Sequence, residues 1–165
     1  MESLGVLLRE DIVALFERHG VLSRAELESR YHIYLEKFAK QINIEAGVML
    51  DMVRRFVIPA VSSYAGRLAR DASSLAAIGA RSAPQEKLAS GLCELLSGAC
   101  DEADRLEAAL GEAQASASEL ARAGAFRDGV APRMARLRDK VDALERLCAK
   151  EAWPFPTYED LLFKL

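Results

Sequence analysis

Residues 23–80 read SRAELESRYHIYLEKFAKQINIEAGVMLDMVRRFVIPAVSSYAGRLARDASSLAAIGA. The start of this stretch has the marks of a helix N-terminus. Ser23 is a capping residue, and Glu26, three positions on, has the spacing needed to reach back to it. Leu22 and Leu27 flank the cap where a hydrophobic staple sits. Apolar residues then recur at Leu27, Tyr31, Leu35, Phe38, Ile42, Met49, Met52, Phe56 and Ala60. Steps of three, four and seven mark one face of a helix packed on other helices. At about 1.5 Å per residue, an unbroken helix over 23–80 would reach roughly 80 Å and would need partners along its length. Pro59 lies inside it, removing one hydrogen bond and pressing on the preceding turn, so a kink is expected there. The apolar pattern continues past it through Val61, Tyr64 and Leu68.

The flanking chain supplies candidate partners. Residues 4–18, LGVLLREDIVALFER, read as a short helix with Leu4, Leu8, Ile12, Leu15 and Phe16 inward. It ends at His19 and Gly20, since glycine suits the left-handed position past a helix. Small and polar residues then place a loop near Gly79–Ser82, and Pro84 opens a third helix to about Ala123. Its stripe runs Leu88, Leu92, Leu95, Leu96, Ala99, Ala103, Leu106, Leu110, Ala113, Ala117 and Leu120, and Gly124 ends it. A fourth helix covers 126–152, with Phe126, Val130, Met134, Leu137, Val141, Leu144 and Cys148 in phase. The tail, WPFPTYEDLLFKL over 153–165, alternates prolines with aromatics and is extended, with Thr157 capping a last short turn. Its Trp153, Phe155, Tyr158, Leu161, Leu162 and Phe163 need a surface to dock on. The expectation is an all-α single domain over 1–165. It is an elongated antiparallel bundle of three long helices (23–80, 84–123, 126–152), with a short N-terminal helix and an extended aromatic tail.

Composition narrows the function. The chain is 51% apolar, much of it alanine in the second half, which favours helix but fills little core volume. A net charge of −3 gives no electrostatic case for nucleic acid, and Arg133, Arg136, Arg138 and Lys140 are interleaved with Asp139 and Asp142. No apolar run reaches spanning length, so no membrane partner is expected. Three cysteines, Cys93, Cys100 and Cys148, with no CxxC, read as reduced thiols of a cytoplasmic protein. Cys93 and Cys100, seven apart, are expected to pack as small hydrophobes on one helix face.

No catalytic, cofactor-binding or metal-binding set is found. The two histidines are His19 and His32. Glu28 and His32 share a helix face four apart, which reads as a surface contact, because a metal needs more ligands. Met49, Met52 and Met134 read as core filler. Gln41, Asn43 and Glu45 within QINIEA are either one exposed face or a polar set that fixes register or meets a neighbouring domain. Asp51, Arg54 and Arg55 read as a charged helix surface.

The strings ELESRY, INIEA and WPFPTY-to-LLF carry a family resemblance. Residues 21–60 resemble the start of the C-terminal helical domain of type III glutamine synthetases. FRDGVAPRMARLRDKVDALE (126–145) and WPFPTYEDLLF (153–163) come next in the same order, with the likeness weakest over 73–122. The resemblance implies a piece that begins inside a longer polypeptide, with Met1 an added start. It implies a parent ligase that makes glutamine from glutamate and ammonia with ATP and Mg or Mn, assembled as a dodecamer of two stacked rings. The catalytic residues of that family lie in upstream β-sheet domains, so what carries over is structural: Ser23, Glu26, Arg30, Asn43, Glu45, Pro59, Trp153, Pro154, Pro156 and Tyr158. The implied role is a non-catalytic structural and assembly domain in contact with the upstream catalytic domain and neighbouring subunits. The alternatives are a helical adaptor with an apolar groove along Leu92–Leu120, and a regulatory bundle with a small-molecule pocket near Asn43 and Glu45.

Overall fold

The structure is a computed structural model and describes residues 2–80, 82–156 and 158–163. Those residues hold helices and no strand. In order they are α1 (Glu2–Gly5), a 3-10 turn (Val6–Leu8), α2 (Glu10–Arg18), α3 (Arg24–Met52), a π turn (Val53–Val57) and α4 (Ile58–Ala77). Next come α5 (Ala83–Gln114), α6 (Glu119–Ala125), a second π turn (Phe126–Val130), α7 (Ala131–Leu147), a 3-10 turn (Lys150–Ala152) and α8 (Tyr158–Phe163). The Thr157 cap expected for the last helix lies outside the described residues. So do the side chains of Tyr158 and Phe163, expected in the aromatic tail cluster.

The chain forms two compact units. One comprises Met1–Ala46 with Ala108–Pro132; the other comprises Gly47–Glu107 with Arg133–Leu165. In the first, His32 pairs with Glu119 and Asn43 with Gln114, so the facing segments run antiparallel. In the second, Glu102 approaches Arg133 and Gly98 lies beside the Lys140 stem, so α5 and α7 are antiparallel there too. Each unit is an all-α bundle.

The first helix is not continuous over 4–18. Arg9 is extended (φ −69°, ψ 139°) and its side chain forks onto Asp11, so the chain restarts at Glu10. The inward residue of α2 is Val13, while Leu15, expected inside, is exposed. Gly20 ends α2 as expected, and at Gly79, expected only as the start of a loop, glycine also closes α4. At Gly20 (φ 63°) the Gly20 N–H bonds to the Glu17 carbonyl and the Val21 N–H to Phe16. At Gly79 (φ 80°) the same two bonds run from Gly79 to Ala76 and from Ala80 to Leu75. This is the Schellman arrangement, which closes the last carbonyls of a helix. The cap at Ser23 also forms. The Glu26 carboxylate accepts from the Ser23 N–H at 2.7 Å, and the Ser23 hydroxyl receives the Glu26 N–H at 3.4 Å.

The two prolines within helical stretches are solved alike. The chain stays helical through Pro59, because the turn before it widens: Ile58 N–H donates to the Val53 carbonyl, five residues back. Ahead of Pro132, Ala131 N–H donates to the Phe126 carbonyl, again five back. Proline cannot donate and crowds the carbonyl four residues earlier, and a π turn takes that carbonyl out of the usual ladder. VRRFVIP and FRDGVAP thus have the same local form.

The inward face of α3 and the turn after it departs from the expected seam. Leu27 and Leu35 are fully buried, but beyond Ile42 the buried positions are Ala46, Leu50, Val53, Val57 and Val61. Met52 and Phe56, expected inside, are exposed. Stepping from Ile42 straight to Met49 passes over Ala46, which is 0% exposed; a small residue that lets a neighbour approach continues the 3.6-residue period better than a large one out of phase.

The third helix ends ten residues before Gly124. Gln114 is its last residue, and Ser118 caps a new helix by accepting from the Ala121 N–H at 3.2 Å. The Arg122 guanidinium donates to the Ser116 carbonyl across the break. Ala117 and Leu120, read as part of the stripe, are not buried with it: Leu120 is exposed, and Gly124 sits inside a helical run. The fourth helix stops at Leu147, five residues early, where Ala149 turns extended (φ −61°, ψ 143°). Trp153 beyond it is buried, and its ring meets Phe155, which in turn meets Phe56 at 5.9 Å. That pairing explains why a phenylalanine stands at position 56: it is outside the helix core yet under the tail. Leu161 and Leu162 stay exposed.

Candidate functional site

The α5–α6 break opens a cleft in the first unit. Its volume is about 340 Å³, at the low end for small-molecule sites. One wall is α3, which presents Leu35, Glu36, Ala39, Lys40 and Asn43 at helical spacing. The other is built around the break: Gln114 is the last residue of α5, Glu119 and Arg122 belong to α6, and Phe126 opens the π turn. Gln114 at the end of α5 and Arg122 on α6 thus flank the break and line the recess together.

Leu35, Ala39 and Phe126 are buried and form an apolar floor. Above them the polar groups are paired. Gln114 Nε2 donates to Asn43 Oδ1 at 2.7 Å, and Lys40 Nζ lies 2.6 Å from Glu36 Oε1. His32 Nδ1 lies 2.7 Å from Glu119 Oε2. The hydrogen bond and charge of Lys40 hold the Glu36 carboxyl below its usual range, with Arg122 adding to the effect.

The polar residues of QINIEA divide. Asn43 is half-buried and enters the cleft. Gln41 donates to Glu45 at 2.9 Å, one helical turn along an exposed face. His32 takes Glu119 as its partner, where Glu28 had the expected spacing. Gln114, Glu119 and Arg122 carry no signal of their own in the sequence, because alanines hide the break. The signal was present in QASASEL: serine before glutamate is a helix start.

The second unit carries two ion clusters. Arg54 is half-buried and bridges to α5, its guanidinium meeting Glu107 at 2.8 and 2.7 Å and Asp104 at 3.0 Å. It joins elements and is not the solvated charge expected; Arg55 is exposed. Glu102 is a buried carboxylate, with Arg105 2.6 Å from Oε1 and Arg133 3.8 Å from Oε2. Cys93 is exposed, against the expectation that it packs inside, while burial raises the thiol pKa of Cys100 and Cys148. Among the described residues, no three His, Cys, Asp or Glu side chains are grouped to hold a metal ion. None of the described helices is long and apolar enough to cross a membrane.

Fold and side chains together define an all-helical domain with a small polar cleft. The comparisons with known proteins make that specific. Residues 1–76 match the family model described as the glutamine synthetase C-terminal domain. Over 96% of its length the chain is 27% identical to a glutamine synthetase of Butyrivibrio fibrisolvens. Over 98% it is 29% identical to a type-3 glutamine synthetase of Dictyostelium discoideum, and over 87% it is 26% identical to a glutamine synthetase of Bacteroides fragilis. The likeness to the glutamine synthetase C-terminal domain thus rests on the first 76 residues, and one of the similar proteins is a type-3 enzyme. It spans about a fifth of the length of these relatives, 20–23%.

Proposed function

We propose that this chain is a non-catalytic structural and assembly domain of a type-3 glutamine synthetase, in a parent that joins ammonia to glutamate with ATP. The observation that carries the reading is the extent of the likeness: nearly all of this chain matches only about a fifth of each relative. In this reading ATP and Mg or Mn are bound by the rest of the parent, and no chemical step is assigned to this chain. In this reading the protein is cytoplasmic. Its partners are the upstream catalytic domain and neighbouring subunits of a large homo-oligomer, a dodecamer. The adaptor alternative needs an open apolar groove along Leu92–Leu120, but Leu92, Ala99, Ala103, Leu106 and Ala113 are buried.

The test is to prepare the parent ligase with and without this segment and sediment both. The reading expects the shortened protein to lose its large assembly while its upstream domain stays folded. An unchanged assembly would refute the role.

A second reading has one observation behind it. The cleft beside Asn43 has the size and mixed lining of a small-molecule site, which favours a regulatory ligand bound by this domain. Thermal melts in the presence of candidate ligands check it, because a ligand bound only by the folded state raises the melting temperature.

A further inference from the structure

We propose that the outward face of α3 over 33–45 packs against the same face of a second copy of this chain. The two helices run antiparallel about a two-fold axis at Gln41. The proposal rests on the assembly reading and names the surface and the pairing that would serve it.

The inward seam of this part of α3 is Leu35, Ala39 and Ala46, all buried. Ile33 stands two residues before Leu35, and Ile44 two before Ala46. Two residues along a helix is a rotation of about 200°, so both isoleucines project from the opposite side. They are 55% and 64% exposed. Lys37, Lys40, Gln41 and Glu45 line one shallow hollow with them. A helix with large apolar residues on two opposite sides belongs between two partners, and the inward side has its own.

Charge selects the second partner. Lys37 and Lys40 share the hollow with Glu36 and Glu45. A nucleic acid or an anionic lipid surface would meet both carboxylates, so neither fits. Lys40 and Glu36 satisfy each other at 2.6 Å. That leaves Lys37 and Glu45. Among the described residues Lys37 meets no acidic group. Glu45 accepts from Gln41 Nε2 through Oε1 at 2.9 Å, and its second oxygen is open. The two lie eight residues apart, about 12 Å along the axis, too far to pair within one helix.

They also lie at equal distances on either side of Gln41. A two-fold axis there sets Lys37 of each copy against Glu45 of the other, so the opposite charges meet twice. A parallel pair would set Lys37 against Lys37 and Glu45 against Glu45, and like charges across a contact are penalised. The face is therefore self-complementary in one direction only, as an isologous contact requires. Gln41 meets its own copy at the axis, where one primary amide can donate to another. Ile33 and Ile44 flank the ion pairs and leave water on contact. One helix face is smaller than a standard stable interface, so the chain alone should dimerise with a Kd on the order of 0.1 mM. In a large assembly, linkage to other contacts strengthens it.

The experiment is sedimentation equilibrium of the 165-residue chain from micromolar to about 1 mM. The proposal expects a reversible monomer–dimer equilibrium. Lys37→Glu alone and Glu45→Lys alone should each weaken the dimer about tenfold or more, because each turns two attractive pairs into repulsive ones. Both positions are exposed, and circular dichroism checks that each variant keeps its helices. An equimolar mixture of K37E and E45K should dimerise as well as the parent sequence, since every pair between unlike copies then joins opposite charges. A chain that stays monomeric throughout overturns the proposal. If removing this segment from the parent ligase still dismantles its assembly, the assembly role survives that failure and another part of the parent covers the face. A dimer that neither reversal weakens uses a different surface, and a mixture that fails to recover means that Lys37 and Glu45 do not pair; either result refutes the proposal.

Discussion

The guanidinium of Arg54 meets the carboxylate of Glu107 edge to edge, with Nη1 2.8 Å from Oε1 and Nη2 2.7 Å from Oε2. Two parallel bonds in one plane fix both the distance and the rotation between the elements that carry them. Asp104, one turn earlier on α5, takes the same Nη2 at 3.0 Å. One arginine on the π turn thus holds two acidic residues of α5.

Replacing that arginine should show a pH signature. The hydrogen bond from Arg54, then its charge, holds the Glu107 carboxyl below its ordinary value of 4.5. A lowered folded-state pKa means stability that is complete above the unfolded value and lost as pH falls through the folded one. Arg54→Met should lower the melting temperature by about 1–4 °C between roughly pH 5 and 7. The difference from the parent sequence should narrow below the ordinary carboxyl value of 4.5. Thermal melts from acid to neutral pH check this, and a difference that does not change with pH would contradict it.

The small-residue face of α5 should resist enlargement. Ala103 is 1% exposed, so Ala103→Leu should cost about 1–3 kcal/mol through overpacking. Leu106, fully buried one turn on, should cost about 2–5 kcal/mol on truncation to alanine. Urea unfolding gives both values. A neutral Ala103→Leu would mean the alanine face is loosely packed.

The break between α5 and α6 depends on Ser118. Ser118→Ala removes the acceptor of the Ala121 N–H and should cost about 1 kcal/mol. Amide exchange at Ala117 and Ser118 should be fast in the parent sequence, since both lie between the two helices and outside either ladder. Slow exchange across 115–118 would restore the single long helix that the sequence pattern suggested.

The tail can be followed through its own fluorophore. Trp153 is the only tryptophan, is 9% exposed, and its ring lies 6.2 Å from that of Phe155. Phe155→Ala removes the ring between Trp153 and Phe56, and should shift the emission to the red with a loss of about 0.5–1.5 kcal/mol beyond the lost burial. Emission unchanged from the parent would place the tail elsewhere.

Helix existence, the Ser23 cap and the glycine end at Gly20 were legible in the sequence, because each rests on local hydrogen bonds that residue types announce. The seam beyond Ile42 was not, because alanine is silent in a pattern read from large side chains, and Ala46 occupies the position that decides the phase. The fate of Pro59 needed knowledge of how the chain relieves the lost bond; a widened turn and a break start from the same residues. The cleft was half visible. Asn43 stood out as polar within an apolar run, but Gln114 and Arg122 flank a serine-rich step where the helix stops, and that step reads as continuous helix. Arg54 looked like surface charge because its acidic partners lie far along the chain, at Asp104 and Glu107.

The most direct measurement of the central claim is a glutamine-formation assay on the 165-residue chain alone, supplied with ATP, glutamate, ammonium and manganese. The account predicts product at the level of the protein-free blank. Glutamine and ADP appearing in proportion to the amount of this chain would contradict it, because a reaction centre would then have to be built from residues assigned here to packing and pairing.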